Sequence, residues 1–218
     1  MTSDTAWRAL DDRSIHYFAH ALPNHWFRMS TLLSCGSALE WVCRASGFES
    51  VTKAVGQLEG RGWSGPGNVT ALPHLDGRRG DRRSAAQRGV FAGLDRDVDR
   101  LDLVQSIMEG IAFALADADS ALRSTGPLPE VPMVIGGGGR SALWMEMLAT
   151  ALDRPVDVVV GSGAGSALGA VRLAMIAMGA SLDDIAVTPE TRRHLPRGNL
   201  RDTMAERRGY WRELQDTM

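Results

Sequence analysis

The residues best placed for chemistry lie in VIGGGGRSALWMEM, positions 134 to 147. Four glycines, Gly136 to Gly139, precede Arg140 and Ser141. A backbone without Cβ atoms lets a ligand come close, and a helix that starts there offers unpaired N–H groups and the positive end of a dipole. That combination suits a phosphate. A second run, GSGAGSALG at 161–169, repeats the pattern. Its Gly161, Gly163 and Gly165 read as a dinucleotide fingerprint that ends in Ser166 instead of a further glycine, with Asp183 and Asp184 about twenty residues on, where such a fold places the ribose carboxylate. Spacing alone leaves three readings: a dinucleotide domain around 156–169, a lobe in which both turns flank a mononucleotide, and two glycine turns that only let helices pack on strands.

Each turn needs a strand before it and a helix after it. Val131, Met133, Val134 and Ile135 form the first strand, and Leu143, Trp144, Met147, Leu148, Ala151 and Leu152 recur at helical spacing behind it. Val156–Val160 is apolar except for Asp157 and reads as a strand covered on both faces, followed by a helix over Ala164–Met178. Val134, Ile135, Val158 and Val159 are expected to be buried in neighbouring strands, with Gly137 and Gly165 facing one cleft. Upstream, Leu101, Val104, Ile107, Met108, Ile111, Leu115, Ala118 and Leu122 step by three and four, which predicts a long amphipathic helix from Asp99 to Ser124. His16–His20 and Trp26–Ser30 read as a strand and its return around Asn24, and Leu32–Arg44 as a helix stopped by Gly47. Val69–Leu75 reads as a strand interrupted at Pro73. From residue 48 a weakly amphipathic segment passes into GQLEGRGWSGPGN at 56–68, which reads as a surface loop, and 186–198 is a proline-marked loop before a last helix striped by Leu200, Met204, Trp211 and Leu214.

Composition narrows the classes. With 218 residues, 44% hydrophobic and 23% charged, the chain has enough material for one core. A net charge of −2 gives no general attraction to nucleic acid or to an anionic membrane. Arg78, Arg79, Arg82, Arg83 and Arg88 crowd one stretch without the aromatics that stack bases, so it reads as a solvated basic loop. Its Arg79-Gly80-Asp81 is a chance tripeptide. His16, His20 and His25 lack a fourth ligand and metal spacing. Cys35 and Cys43 lie eight apart near one helical face and read as free thiols in a reducing, cytoplasmic setting. No apolar run reaches the ~18 residues of a membrane span, and the N-terminus has no signal-peptide core.

Taken in order, several blocks resemble the second half of the FGGY family of carbohydrate kinases, its xylulokinases most. They are HALPNHWFRMSTLLSCGSALEW at 20–41, LPHLDG at 72–77, RGVFAGL at 88–94, VQSIMEGIAFALADADSAL at 104–122, VIGGGGRSALWMEMLATALDRPV at 134–156 and GSALGAVRLAMIAMG at 165–179. The resemblance implies an α/β fold of the actin-like, ribonuclease-H-like ATPase type, with a mixed sheet flanked by helices, as one domain over 1–218. It implies ATP-dependent phosphorylation of a ketopentose such as xylulose, with Mg²⁺, and assigns this chain the nucleotide-side lobe. Gly137 and Gly138 match positions whose backbone lies against the ATP phosphates, and Ser141 a position beside the adenine. Gly36, Leu39 and Glu40 match the segment on the nucleotide's other side. A valine at Gly138 would accordingly block phosphate.

There are departures. Met1, Thr2, Ser3 and Asp4 stand where the family has glycine-threonine-serine-glycine, and Asp4 would set a negative charge beside phosphate. The family's glycine-glutamate-arginine-threonine-proline run is replaced by GRRGDRR. No residue matches the family's catalytic aspartate, so no catalytic residue is expected here, and the chain alone is expected to be incomplete. Its partners would be nucleotide, a separate N-terminal lobe that brings the sugar, or a second copy. A non-catalytic kinase remnant and a dinucleotide-binding oxidoreductase domain are the alternatives.

Overall fold

The computed structural model describes residues 1–4, 7, 14–79, 82–161, 163 and 165–218, the side chains of residues 82 and 83 excepted. The tripeptide at 79–81 therefore lies partly outside the described residues. The fold is built around one helix, α4 (Arg100–Ser124). Asp99 starts it with a capping box: its carboxylate accepts from the amides of Leu101 and Asp102, and Asp102 accepts from the Asp99 amide. One apolar face is expected, but α4 is buried nearly all round. Gln105, Ser106, Glu109, Ala112, Phe113 and Ala116 are as deeply covered as the predicted stripe. The reason is its neighbours. Helices α1 (Gly36–Ala45), α2 (Val51–Arg61), α5 (Ala142–Leu152) and α8 (Arg201–Thr217), and strands β3 (Trp26–Ser30) and β4 (Thr70–Leu72), all pack on it. At Gly110 the strand lies directly on the helix. A Cβ there would fall 2.3 Å from the Ala71 carbonyl oxygen, so only glycine permits the contact.

Among the described residues the strands form three small sheets. In the first, β1 (Thr2–Asp4) and β2 (Ile15–Ala19) both pair antiparallel with β3, in the order β1-β3-β2, with Phe18 opposite Phe27. The predicted hairpin around Asn24 is present, and Asn24 takes a positive φ of 58°. The Asp4 carboxylate accepts from buried Arg28 (Nε at 2.6 Å) and from the Tyr17 hydroxyl at 3.1 Å. Arg28 also donates to the carbonyls of Leu122 and Pro127 and to the Thr125 hydroxyl, which ties β1 and β3 to the end of α4. The second sheet pairs β4 with β5 (Val90–Ala92); the strand expected over Val69–Leu75 is therefore only three residues long. A short helix, α3 (Arg82–Ala86), interrupts the basic segment that reads as a loop.

The third sheet carries the glycine turns. β6 (Met133–Val134) runs parallel to β7 (Val156–Val159), with Val134 beside Val158, and β8 (Thr191–His194) pairs antiparallel on β7's other side. β8 corrects the expected proline-marked loop. Its sequence, Thr-Arg-Arg-His, has no strand signature. It is an edge strand held to β7 by register and by Arg193, which donates twice to Asp157 at 2.8 Å. The expected burial of this sheet is also corrected. Val134, Val158 and Val159 are half-buried and Ile135 is 64% exposed. α5 covers one face, and no comparable layer covers the carboxyl ends of β6 and β7 among the described residues. Helices α6 (Gly165–Ala177) and α7 (Leu182–Ile185) follow β7.

α8 closes the core. Trp211 is buried and its indole N–H donates to the Ala71 carbonyl at 2.9 Å. Cys43 is buried and Cys35 half-buried, both free, and burial pushes both thiols up.

Candidate nucleotide-binding face

Because β6 and β7 are parallel neighbours, their carboxyl ends lie on one sheet edge, and both glycine turns leave from it. Gly136 follows β6 at φ +95°, and residues Gly137–Arg140 then form one 3-10 turn that leads into α5. The turns meet side by side. A Cβ on Gly165 would lie 3.9 Å from Ile135 Cδ1, and one on Gly163 4.0 Å from an Arg140 guanidinium nitrogen. Open α/β sheets bind ligands at this edge.

The two central glycines differ. Gly137 is exposed, and a Cβ there would meet nothing within 4 Å. A Cβ on Gly138 would lie 2.8 Å from Trp144 Cζ3. The expectation that a valine at Gly138 would block phosphate is thus corrected: that side chain would collide with the indole and disturb packing. The indole is fixed from below, since Trp144 Nε1 donates to the Met108 carbonyl of α4 at 3.1 Å.

Ser141 is the N-cap of α5. Its hydroxyl accepts from the Trp144 amide at 3.1 Å and donates to Glu59 Oε1 of α2 at 2.8 Å. It therefore fixes the angle at which the glycine turn leaves the helix. Ser141→Ala is expected to cost about 1 kcal/mol of stability, the usual loss of such a cap, read as a lower midpoint in urea unfolding. Glu59 is absent from the sequence-derived set; the weak pattern of α2 carries no signal that could select it.

Gly36 opens α1, exposed, with no side-chain cap at Cys35. Glu40 is exposed one turn on. Leu39 is 4% exposed and packs in the core, so its side chain supports α1 from beneath and does not face solvent. Asp184 accepts from Ser181 in a capping box at the start of α7, which occupies one of the two carboxylates available for a ribose. Two cavities of the lobe, about 270 and 590 Å³, are lined by other residues. The face that carries Gly137 is an open wall. No cluster of three or more metal-ligating His, Cys, Asp or Glu side chains is found among the described residues.

A family model described as the C-terminal domain of the FGGY family of carbohydrate kinases matches residues 2–178. The chain belongs to that family. It is 33% identical to the xylulose kinase of Escherichia coli K12 over 206 residues, which is 93% of this chain and 42% of that protein. It is 34% identical to the xylulose kinase of Klebsiella pneumoniae over 167 residues, 77% of this chain and 34% of that one. Among solved structures, a xyloylose kinase from Brucella ovis superposes with a TM-score of 0.88 at 35% identity, over 99% of this chain and 45% of that chain. The lobe thus has the actin-like ATPase fold of the FGGY kinases and spans less than half the length of these relatives.

Proposed function

We propose that this FGGY lobe forms the nucleotide side of a sugar kinase that phosphorylates a ketopentose such as xylulose, in the cytoplasm, with ATP and Mg²⁺. The observation that carries the reading is the pair of glycine turns at the carboxyl ends of adjacent parallel strands, with Gly137 open to solvent. The backbone of Gly137 and Gly138 faces the phosphates, while Ser141, Gly36 and Glu40 flank the base. Leu39 shapes that wall from within. The described side chains form no cage for a metal, so Mg²⁺ would come with the nucleotide phosphates, its usual mode of binding in such sites. Sugar and the proton-accepting aspartate belong to a first lobe, in the same polypeptide or a separate one. No helix among the described residues is long and apolar enough to cross a membrane.

A lobe that offers one wall of a cleft repays the ordering of its ligand with few contacts. Millimolar ATP affinity, on the order of −4 kcal/mol, is expected. Calorimetry with two variants tests the assignment. Gly137→Val is expected to remove ATP binding and leave the melting temperature unchanged. Gly138→Val is expected to lower the melting temperature through Trp144. Unchanged ATP affinity in Gly137→Val, or equal affinity for NAD, would refute the nucleotide-wall reading.

A further inference from the structure

A cavity of about 270 Å³ lies between the end of β3, the loop after β4, α4 and α8. None of the described residues of the two glycine turns lines it. Its volume is near the lower end of small-molecule sites, about 300–1,000 Å³, so it suits a metabolite of a few carbons better than a nucleotide. One side is apolar: Leu32, Leu33 and Pro73, with Ala114 and Ala118 of α4 and Trp211 of α8. The Trp211 indole N–H is already spent on the Ala71 carbonyl, so the ring offers only carbon. The other side consists of groups that bond to oxygen: Ser30, Thr31, His74, Arg78, Arg79 and Asp117.

Two of these groups show what the cavity asks for. His74 is 7% exposed, and its Nε2 stands 2.9 Å from the side chain of Gln215, which is equally buried. With the Gln215 amide nitrogen turned to Nε2, the ring proton lies on Nδ1. Among the described residues Nδ1 has no partner, so an acceptor for that proton must come from within the cavity that the ring lines. Asp117 is the one carboxylate among the described lining residues. Arg208 and Arg212 of α8 both donate to its Oδ1, at 2.6 to 2.9 Å, while Oδ2 takes a bond from Arg212 at 3.2 Å. The charge of Asp117 is therefore met from α8, and Oδ2 retains capacity to accept from a hydroxyl. Arg78 and Arg79 leave the cavity positive.

We propose that this cavity is a binding site for a small sugar phosphate. The phosphate meets Arg78 and Arg79, whose planar forks match its oxygens. The sugar hydroxyls meet Ser30, Thr31, His74 Nδ1–H and Asp117 Oδ2, and the C–H face of the carbon chain lies on Trp211 and the α4 alanines. A neutral sugar would leave the two arginines without an anion. Inorganic phosphate would leave the apolar side uncovered. The site stands apart from the nucleotide wall, and its assignment does not depend on the kinase reading. Its occupant bridges β3, α4, α8 and the loop after β4, so binding should stabilise the whole lobe.

Calorimetry on the whole chain tests the assignment with ribose 5-phosphate, glycerol 3-phosphate, ribose and inorganic phosphate. At least one of the two sugar phosphates should bind about tenfold or more tightly than inorganic phosphate and raise the melting temperature, and ribose should give no measurable heat. Arg79→Ala, at an exposed side chain, should weaken that binding about tenfold or more, as expected for a lost charge-assisted bond. Ala118→Met should weaken it as much by filling the cavity without a change of charge; if that variant does not fold, Arg79→Ala decides alone. Gly137→Val should bind the sugar phosphate as the unaltered chain does, and ATP should not compete for it. Binding of neither sugar phosphate, equal affinity for inorganic phosphate, or unchanged affinity in Arg79→Ala overturns the proposal. Loss of binding in Gly137→Val, or displacement by ATP, also overturns it, because the phosphate would then sit at the glycine turns. A chain that binds the sugar phosphate but not ATP refutes the nucleotide wall and keeps this site.

Discussion

Purified alone, the 218-residue chain is expected to release no ADP in response to xylulose. Phosphoryl transfer relies on holding an attacking hydroxyl in line with the γ-phosphate and on stabilising the charge that spreads over it. On the proposed reading, the open wall at Gly137 would hold phosphate from one side only. A missing general base costs about 10²–10⁴-fold, and loss of sugar positioning removes an effective concentration that reaches about 10⁵–10⁸ M in well-oriented systems. The two losses together place the reaction below the background of a coupled ADP assay. Adding a first lobe from a longer relative, fused or in trans, should restore sugar-dependent turnover. Robust turnover by the chain alone would mean that a carboxylate of this lobe serves as the base.

The second large effect concerns stability against pH. His74 and Glu109 are both buried, at 7% and 2% exposure, and burial shifts them in opposite senses. Desolvation lowers the His74 imidazolium from its ordinary 6.5 to about 4. Its neutral ring suits its surroundings: with the Gln215 amide nitrogen turned towards it, Nε2 accepts at 2.9 Å while the Gln215 oxygen accepts from Arg78 at 3.1 Å. Desolvation raises Glu109 from 4.5 to about 7, against hydrogen bonds from Gln105, Trp63 and the Gly67 amide that favour its anion. Between pH 4 and 6.5 the unfolded chain holds a proton on His74 that the folded one lacks, so stability rises with pH. Between 4.5 and 7 the folded chain holds a proton on Glu109 that the unfolded one has lost, so stability falls. Each contribution is on the order of 3 kcal/mol, and across the shared window they oppose. The unaltered protein should therefore show little net slope from this pair. In urea titrations from pH 4.5 to 6.5, Glu109→Gln should gain stability as pH rises and His74→Gln should lose it. Parallel slopes in both variants would contradict the assignment.

The two glycine turns after β6 and β7 were legible in the residues themselves. Glycine runs after apolar strands mark places where a chain must turn tightly and leave its amides open, and that local demand is written in single positions. α4 was legible as a helix for the same reason, from spacing. Its full burial was not, because Gln105, Ser106 and Glu109 look like a solvent face until Trp63 and the Gly67 amide come across to donate to Glu109, the Gly65 carbonyl accepts from Gln105, and Ser106 turns its hydroxyl back on the Leu103 carbonyl. β8 was illegible because an edge strand draws its hydrogen bonds from β7 and needs little from its own side chains. Leu39 and Gly138 show the limit of matching positions to a family. Both sit in matching segments, yet the Leu39 side chain points into the core, and the missing Cβ of Gly138 makes room for an indole.

The contact at Gly110 bears on the order in which the lobe can be assembled. β4 lies on α4 with no side chain between them, and the Ala71 carbonyl there takes its hydrogen bond from Trp211 of α8. Ala71 and Trp211 are 140 positions apart in sequence, a closure that must be made before its contacts repay the lost chain entropy. As a ribosome delivers the chain, α4 and β4 can meet early, but their shared surface stays open until α8 has emerged. Nascent chains stalled just short of α8 should therefore be held loosely and remain open to protease, and become resistant once Trp211 clears the tunnel.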